Sequence, residues 1–582
     1  MNSFLSGRDR APARAALLAT GMTAEDLAKP MIGVAHSWIG TMPCNLNHRR
    51  LAQAVMAGIR AAGGTPVEIN TIAVSDVITM GTAGMRTSLV SREVIADSIE
   101  LVGRGHALDG LVTLAGCDKT IPAAALAHVR LNVPGLLLYS GTMLPGLFRG
   151  GEITLQDVFE AVGRTAAGEL DDGDLQEMER AACPGEGACA GHYTANTMAM
   201  AMEFLGLSPF GSMDPPASDP RKTGVCEAAG RLVMRLVERD LRPGRILDTR
   251  SLHNAITAAV ATGGSTNVVL HLLALAREAG LPLDITEFDT ISARTPVIAD
   301  LRPSGRYTAV HLDRAGGTRL VGRVLSDAGL LEGEALTVTG RTVADEVAEG
   351  QAAPGQRVVR PVERPLSATG GLCVLKGNLA PRGAVVKTSA AVTPRIEGPA
   401  VVFDSEEDAM AAVQSGAITA GDVVVIRYEG PRGGPGMREM LGVTAALVGR
   451  GLGRSVALVT DGRFSGATRG LMAGHVAPEA ADGGPLAALR DGDLVTIDLE
   501  SRGLSVDLTP QQISERMRHW TPPTSPYATG VMAKYRDAVS CASRGAVTVS
   551  GRDERGRWLE RRAAGGGNAD GTDRTERTDR KE

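Results

Sequence analysis

Four cysteines fall in glycine- or proline-marked turns of the first half of the chain: Cys44 in "GTMPCNLNH", Cys117 in "LAGCDKTIP", and Cys183 and Cys189 in "CPGEGACAGHYTANTM". Asp118 and Lys119 follow Cys117 directly, Asp76 lies in "AVSDVITMG", Glu439 in "EGPRGGPGMREM" and Ser465 in "TDGRFSGATRG". Thiolates are soft ligands for iron or zinc, whereas carboxylates from separate loops are the hard oxygen ligands that Mg²⁺ takes together with water and substrate. No two cysteines form a CxxC pair, so spacing alone carries no zinc or ferredoxin signature, and a free cysteine is commonly a small buried hydrophobe. Lys119 beside Asp118 would repel a cation. Two readings of it stay open: a plain salt bridge, or an amine altered so that it presents oxygen.

Other patterns are weaker. "EGPRGGPGM" lacks the Gly-Lys-Ser/Thr that a phosphate loop offers to nucleotide and metal. Ser465 lies outside any G-x-S-x-G elbow, with no visibly paired histidine or acid. Ser265 and Thr266 in "ATGGSTNVVLHLL" begin a helix whose N-terminus suits an anion such as a carboxylate, or simply cap a core helix. His48 and His192 read as hydrogen-bonded structural histidines, and Met198, Met200 and Met202 as core filling.

The elements that must position these residues are legible as alternating apolar runs. "MIGVAHSW", "PVEINTIAV", "LDGLVTLAG" and "VPGLLLYSG" read as strands, flanked by helical stretches that stop at "AAGG" and "GRG". From about residue 30 to 350 this alternation predicts parallel β–α–β units with a sheet buried on both faces. Cys117, Asp118 and Lys119 then lie where a strand hands over to a helix, which is where open α/β sheets carry their chemistry. Residues 349–371 are rich in proline, glycine and charge and read as a linker. Beyond it, short strands at close spacing with few helices predict a β-barrel-like domain. The expected organisation is an α/β/α domain over 1–365, a barrel-like domain over 366–550 carrying Glu439 and Ser465, and a charged, disordered tail over 551–582.

Bulk properties narrow the class. A chain of 582 residues with 43% apolar and 22% charged content fits a multidomain globular enzyme. The net charge of −5 gives no reason to expect nucleic acid as a partner. Seven scattered cysteines point to a reducing compartment, and no run reaches the roughly 18 apolar residues a membrane helix needs. The expectation is a cytoplasmic protein without a membrane or targeting segment, its first surface helix ending at Gly21.

With the segments laid out, the chain resembles the dihydroxy-acid and sugar-acid dehydratase family of iron–sulfur enzymes. The carrying motifs, in order, are "PCNLNHRRLAQAV", "NTIAVSDVITMGTAGMRTSLVSREVIADSIE", "GCDKTIP", "CPGEGACAGHYTANTMAMAMEFLG", "EGPRGGPGMREML" and "TDGRFSGATRG". The resemblance implies that Cys44, Cys117 and Cys189 bind a cluster, [2Fe–2S] with [4Fe–4S] as the alternative. It further implies that Asp76, Asp118, Glu439 and a carbamylated Lys119 hold Mg²⁺, that Ser465 is the proton acceptor, and that the protein is a homodimer. The implied reaction is dehydration of 2,3-dihydroxy-3-methylbutanoate or its pentanoate homologue to a 2-oxo acid in valine and isoleucine synthesis. The alternatives are a sugar-acid (aldonate) dehydratase, a paralogue of specialised metabolism and, from another class, a non-catalytic iron–sulfur sensor or electron carrier. Val77, His192 and "AAALAHV" depart from the common family pattern.

Overall fold

In the computed structural model, which describes residues 5–390 and 393–548, strand β1 (Met31–His36) is apolar on both faces. Ile32 and Val34 turn to one side, Met31 and Ala35 to the other. A strand of this kind must be covered twice. It pairs in parallel with β2 (Thr65–Asn70) and β3 (Gly110–Ala115), and β3 pairs in parallel with β4 (Gly135–Tyr139), giving the order β2-β1-β3-β4. Helices His48–Ala61 and Arg221–Glu238 cover one face through Leu51, Val55, Ile59, Val233 and Leu236. Helices Arg86–Gly105 and Thr120–Leu131 cover the other through Ile95, Ile99, Ala123 and Ala127.

The three-layer α/β/α expectation is met, but the β–α alternation does not run to residue 350. After the short hairpin β5 (Gly146–Phe148) and β6 (Gly151–Ile153), the named elements from Leu155 to Val347 are all helices. The physical reason is full burial. Every residue of the helix Thr194–Phe204 is buried, Met198, Met200 and Met202 included, so its apolar run has no polar face to reveal a helical period. The first helix, Ala11–Ala19, buries none of its residues, as a surface helix should.

The second sheet has eight strands: β7 (Leu372–Leu375), β8 (Ala384–Lys387), β9 (Arg395–Phe403), β10 (Val423–Ile426), β11 (Ala457–Thr460), β12 (Met472–Gly474), β13 (Leu494–Asp498) and β14 (Gly503–Val506). Their order is β14-β13-β9-β10-β11-β12-β8-β7, with β9 to β12 parallel and the flanking pairs antiparallel. A bridge between Lys376 and Gly503 brings the two edge strands together, so the sheet closes into a barrel. Gly377 permits that closure, because a Cβ there would lie 2.1 Å from the Leu504 carbonyl oxygen. Val386, Val425, Val459, Ile497 and Leu504 fill the inside. Val424, Ile426 and Leu458 face outward under helices Glu406–Ser415 and Leu441–Gly449. The expected tail lies outside the described residues, among which no helix is long and apolar enough to cross a membrane.

Candidate active site

All four strands of the first sheet deliver residues at their carboxyl ends. Cys44 sits in the 3₁₀ turn Pro43–Asn45 after β1, and Asp76 heads the short helix Asp76–Thr79 after β2, capped by Ser75. Cys117, Asp118 and Lys119 form the turn between β3 and the helix Thr120–Leu131. Thr120 Oγ1 holds this turn by accepting from the backbone N–H groups of Gly116 (3.2 Å) and Cys117 (2.9 Å). Cys189 is clasped to the end of β4, where Ala188 N–H donates to Gly141 O (3.0 Å) and Met143 N–H to Ala188 O (2.7 Å). The barrel contributes from the ends of its parallel strands. Glu439 follows β10 and Ser465 follows β11, and a bridge between Glu439 and Arg463 ties the two loops together.

These residues meet at one cavity, lined by Cys44, Cys117 and Cys189, Asp76 and Asp118, Glu439 and Ser465. Ligand oxygens of Asp76, Asp118 and Glu439 lie within 4.8 Å of one another. Lys119 is 1% exposed; its Nζ pairs closely with Asp76 Oδ2 and lies 3.9 Å from both Asp118 Oδ2 and Glu439 Oε2. The unmodified amine therefore makes the salt bridge that one reading of the sequence foresaw. Burial pushes the Asp118 carboxyl up to about 7, against the opposing pull of Lys119, with the neighbouring Asp76 and Glu439 adding to the rise.

The thiols are crowded in the same way. A hydrogen bond with Cys117, then burial, holds the Cys44 thiol well above its ordinary range. Burial, then the nearby Asp118, does the same for Cys189. Cys44, Cys117 and Cys189 line one cavity and form a donor set that a cationic iron–sulfur group would satisfy. Gly116 lets the sulfurs gather, because a Cβ there would stand 2.2 Å from Cys44 O and 2.3 Å from Ser140 Oγ. The residues present thus fit a soft cluster beside a hard cation.

The histidines and the glycine turn take structural parts. Ser37 N–H donates to His48 Nδ1 (3.3 Å), and His192 Nε2 bonds with Thr262 Oγ1 (2.9 Å). Burial drives both rings down to about 3, so they stay neutral. Ser265 Oγ already bonds with Thr194 Oγ1 (2.8 Å) and accepts from Asn267 N–H (3.2 Å), which favours the capped-helix reading over an anion site. Residues that sequence reasoning missed surround Glu439. Arg463 Nη1 (2.6 Å) and Asn267 Nδ2 (2.8 Å) both donate to Glu439 Oε2, and Ser88 Oγ donates to Asp76 Oδ1 (2.6 Å). Their only signal was position: Arg463 lies two residues before Ser465, and Asn267 follows the Ser265–Thr266 turn.

The family model described as "Dihydroxy-acid/6-phosphogluconate dehydratase N-terminal" matches residues 29–346, and its "C-terminal" counterpart matches residues 357–546. The chain belongs to the dihydroxy-acid/6-phosphogluconate dehydratase family. It is 59% identical over 548 residues to a dihydroxy-acid dehydratase of Roseiflexus castenholzii, covering 94% of this chain and 98% of the relative. The corresponding enzyme of Thermus thermophilus is 54% identical over 542 residues (93% and 98%), and that of Sulfurisphaera tokodaii 50% over 551 (94% and 98%). As a member of this dehydratase family the chain is a hydro-lyase acting on a small molecule, and its buried carboxylate group suits a metal-dependent reaction.

Proposed function

We propose that the chain dehydrates 2,3-dihydroxy-3-methylbutanoate and 2,3-dihydroxy-3-methylpentanoate to 2-oxo acids, as in valine and isoleucine synthesis. The observation that carries this choice is the cavity wall. Apart from the ligand-type residues and Ser465, it is built of Val77, Met80, Leu155, Phe159, Ala195, Leu441 and Ala467, with Gln156 and Tyr193 as its polar members. Such a wall suits methyl and ethyl substituents. The hydroxyls of a sugar-acid tail would lose water there with only Gln156 and Tyr193, already bonded to each other (3.0 Å), to replace their hydrogen bonds. The names of the relatives support the same substrate class.

In this reading Cys44, Cys117 and Cys189 hold an iron–sulfur cluster, [2Fe–2S] with [4Fe–4S] as the alternative, and Asp76, Asp118, Glu439 and a carbamylated Lys119 hold Mg²⁺. When bound, these groups supply Lewis acidity to the departing 3-hydroxyl and to the substrate carboxylate and 2-hydroxyl. Carbamylation turns Lys119 from a cation opposed to the metal into an oxygen ligand. Ser465 Oγ takes the C2 proton; the Ala467 N–H aimed at that oxygen (3.3 Å) favours its ionised form. The proton then leaves with the 3-hydroxyl as water, and the enol left behind tautomerises to the 2-oxo acid. The family description and the texture change near the linker support two domains, 1–365 and 366–550. Cysteine usage supports the cytoplasm, and the family resemblance supports a homodimer.

The test is 2-oxo acid formation by anaerobically purified protein with Mg²⁺, offered the branched acid or a panel of aldonic acids. Strong preference for the branched acid is expected. Preference for an aldonic acid overturns the substrate choice, and no turnover of either with the cluster intact overturns the catalytic assignment.

A further inference from the structure

Lys387 ends β8 with its side chain inside the protein, 5% exposed. Its Nζ donates to Gly466 O at 2.9 Å, and no carboxylate pairs with it among the described residues. Gly466 follows Ser465 directly and is wedged in place, because a Cβ there would stand 2.8 Å from both Thr194 N and Tyr193 Cα and 3.0 Å from Ser265 Cβ. The lysine therefore grips the peptide next to the proposed base in a turn that has no room to shift. A buried ammonium without an anion is costly. The neighbouring charged and titratable groups do not offset it: Arg469 is itself cationic and pairs with Glu160 (3.4 Å), and His192 is neutral. Burial, reinforced by Arg469, pulls the lysine down to about 7.

We propose that Lys387 is a positioning residue for Ser465, anchoring the Ser465–Gly466 turn and supplying the positive charge against which the Ser465 hydroxyl ionises. The proposal rests on the reading of Ser465 as the base. A serine that ionises next to Gly466, whose carbonyl Lys387 holds, would be the anion this site lacks. The two charges would appear together, so removing the lysine charge raises the pH needed to ionise the serine.

The experiment is the pH profile of kcat for Lys387→Gln and Lys387→Met, each loaded with cluster and Mg²⁺ and checked by the visible absorbance of the cluster. Lys387→Gln keeps a donor for Gly466 O and so remains informative where the methionine variant misfolds. The expected result for Lys387→Gln is an acid limb moved up by about one pH unit, an on-the-order-of tenfold loss of kcat below it, and KM changed by less than about twofold. Lys387→Arg, which keeps the charge, is expected to restore the limb. An unmoved limb in Lys387→Gln overturns the proposal, whether kcat is unchanged or reduced equally at every pH. Ser465→Ala, measured beside it, separates the two readings. An active Ser465→Ala removes the base and the Lys387 proposal with it, whereas an inactive one with an unmoved limb in Lys387→Gln overturns the Lys387 proposal alone.

Discussion

Glu439 owes its place to residues that no local pattern couples to it. Arg463 and Asn267 both donate to Glu439 Oε2, and Arg463 Nη1 also donates to Asn267 Oδ1 at 3.0 Å, so the three form one buried polar unit. Partners of this kind orient a carboxylate that holds a metal, and losing one commonly costs tenfold or more in metal affinity. Asn267→Leu, close in size but unable to donate, is therefore expected to raise the Mg²⁺ concentration for half-maximal activity by about tenfold while leaving the cluster absorbance unchanged. Equal Mg²⁺ dependence in variant and wild type would show that Arg463 orients Glu439 alone. The sequence made the chemical types legible, because cysteines, carboxylates and a lysine in glycine turns stand out one by one. It left the supporting shell dark. Asn267 and Glu439 are 172 residues apart, and an asparagine at a helix start looks like an ordinary cap.

The helix Leu155–Ala166 carries Leu155, Gln156 and Phe159 into the cavity and crosses the helix Leu441–Gly449 at two glycines. A Cβ at Gly163 would lie 3.0 Å from Gly449 Cα and 3.1 Å from Ala446 O, and one at Gly449 2.8 Å from Gly163 Cα, so a larger side chain forces the two helices to shift. Gly163→Val would force the helices apart and tilt the cavity wall with them. Stability should fall by about 1–3 kcal/mol, as overpacked sites do. KM for the branched acid should rise, read by denaturant titration and steady-state kinetics on the same preparation. Unchanged KM with lowered stability would mean that the wall is positioned from elsewhere. Elements were legible where a short apolar run or a glycine stop bounded them, buried or not. The strands ending at Asn70 and Tyr139 announced themselves as apolar runs, and the helix His48–Ala61 by its stop at "AAGG". Helices buried on every side, such as Thr194–Phe204, left no period to read, and the alternation inferred to residue 350 failed there.

Across the whole molecule, the chain returns after the barrel to brace the helix Arg86–Gly105 next to the site. Arg92, 0% exposed, donates through Nη2 to the carbonyls of Gly545 (3.1 Å) and Ala546 (2.6 Å) and pairs with Glu93 (2.8 Å); its Nη1 bonds with His271 Nδ1 (3.2 Å). Met532, Tyr535 and Val539 of the same returning segment pack with Leu89, Leu270 and Met437. Met437 lies two residues before Glu439, and its carbonyl accepts from Arg463 Nε at 2.7 Å. Bracing of the terminus and placement of Glu439 are therefore one packing problem. Glu93 keeps Arg130 (3.2 Å) as a partner, so Arg92→Met, which keeps an unbranched apolar side chain, acts by leaving the buried Gly545 and Ala546 carbonyls without their donor, at about 1–3 kcal/mol. The variant is expected to lose that much stability and, below its melting transition, to need more Mg²⁺ than wild type for half-maximal activity. Thermal unfolding followed beside an Mg²⁺ titration checks both. A stability loss with unchanged Mg²⁺ dependence would show that the returning segment secures the fold without reaching the metal-side carboxylates.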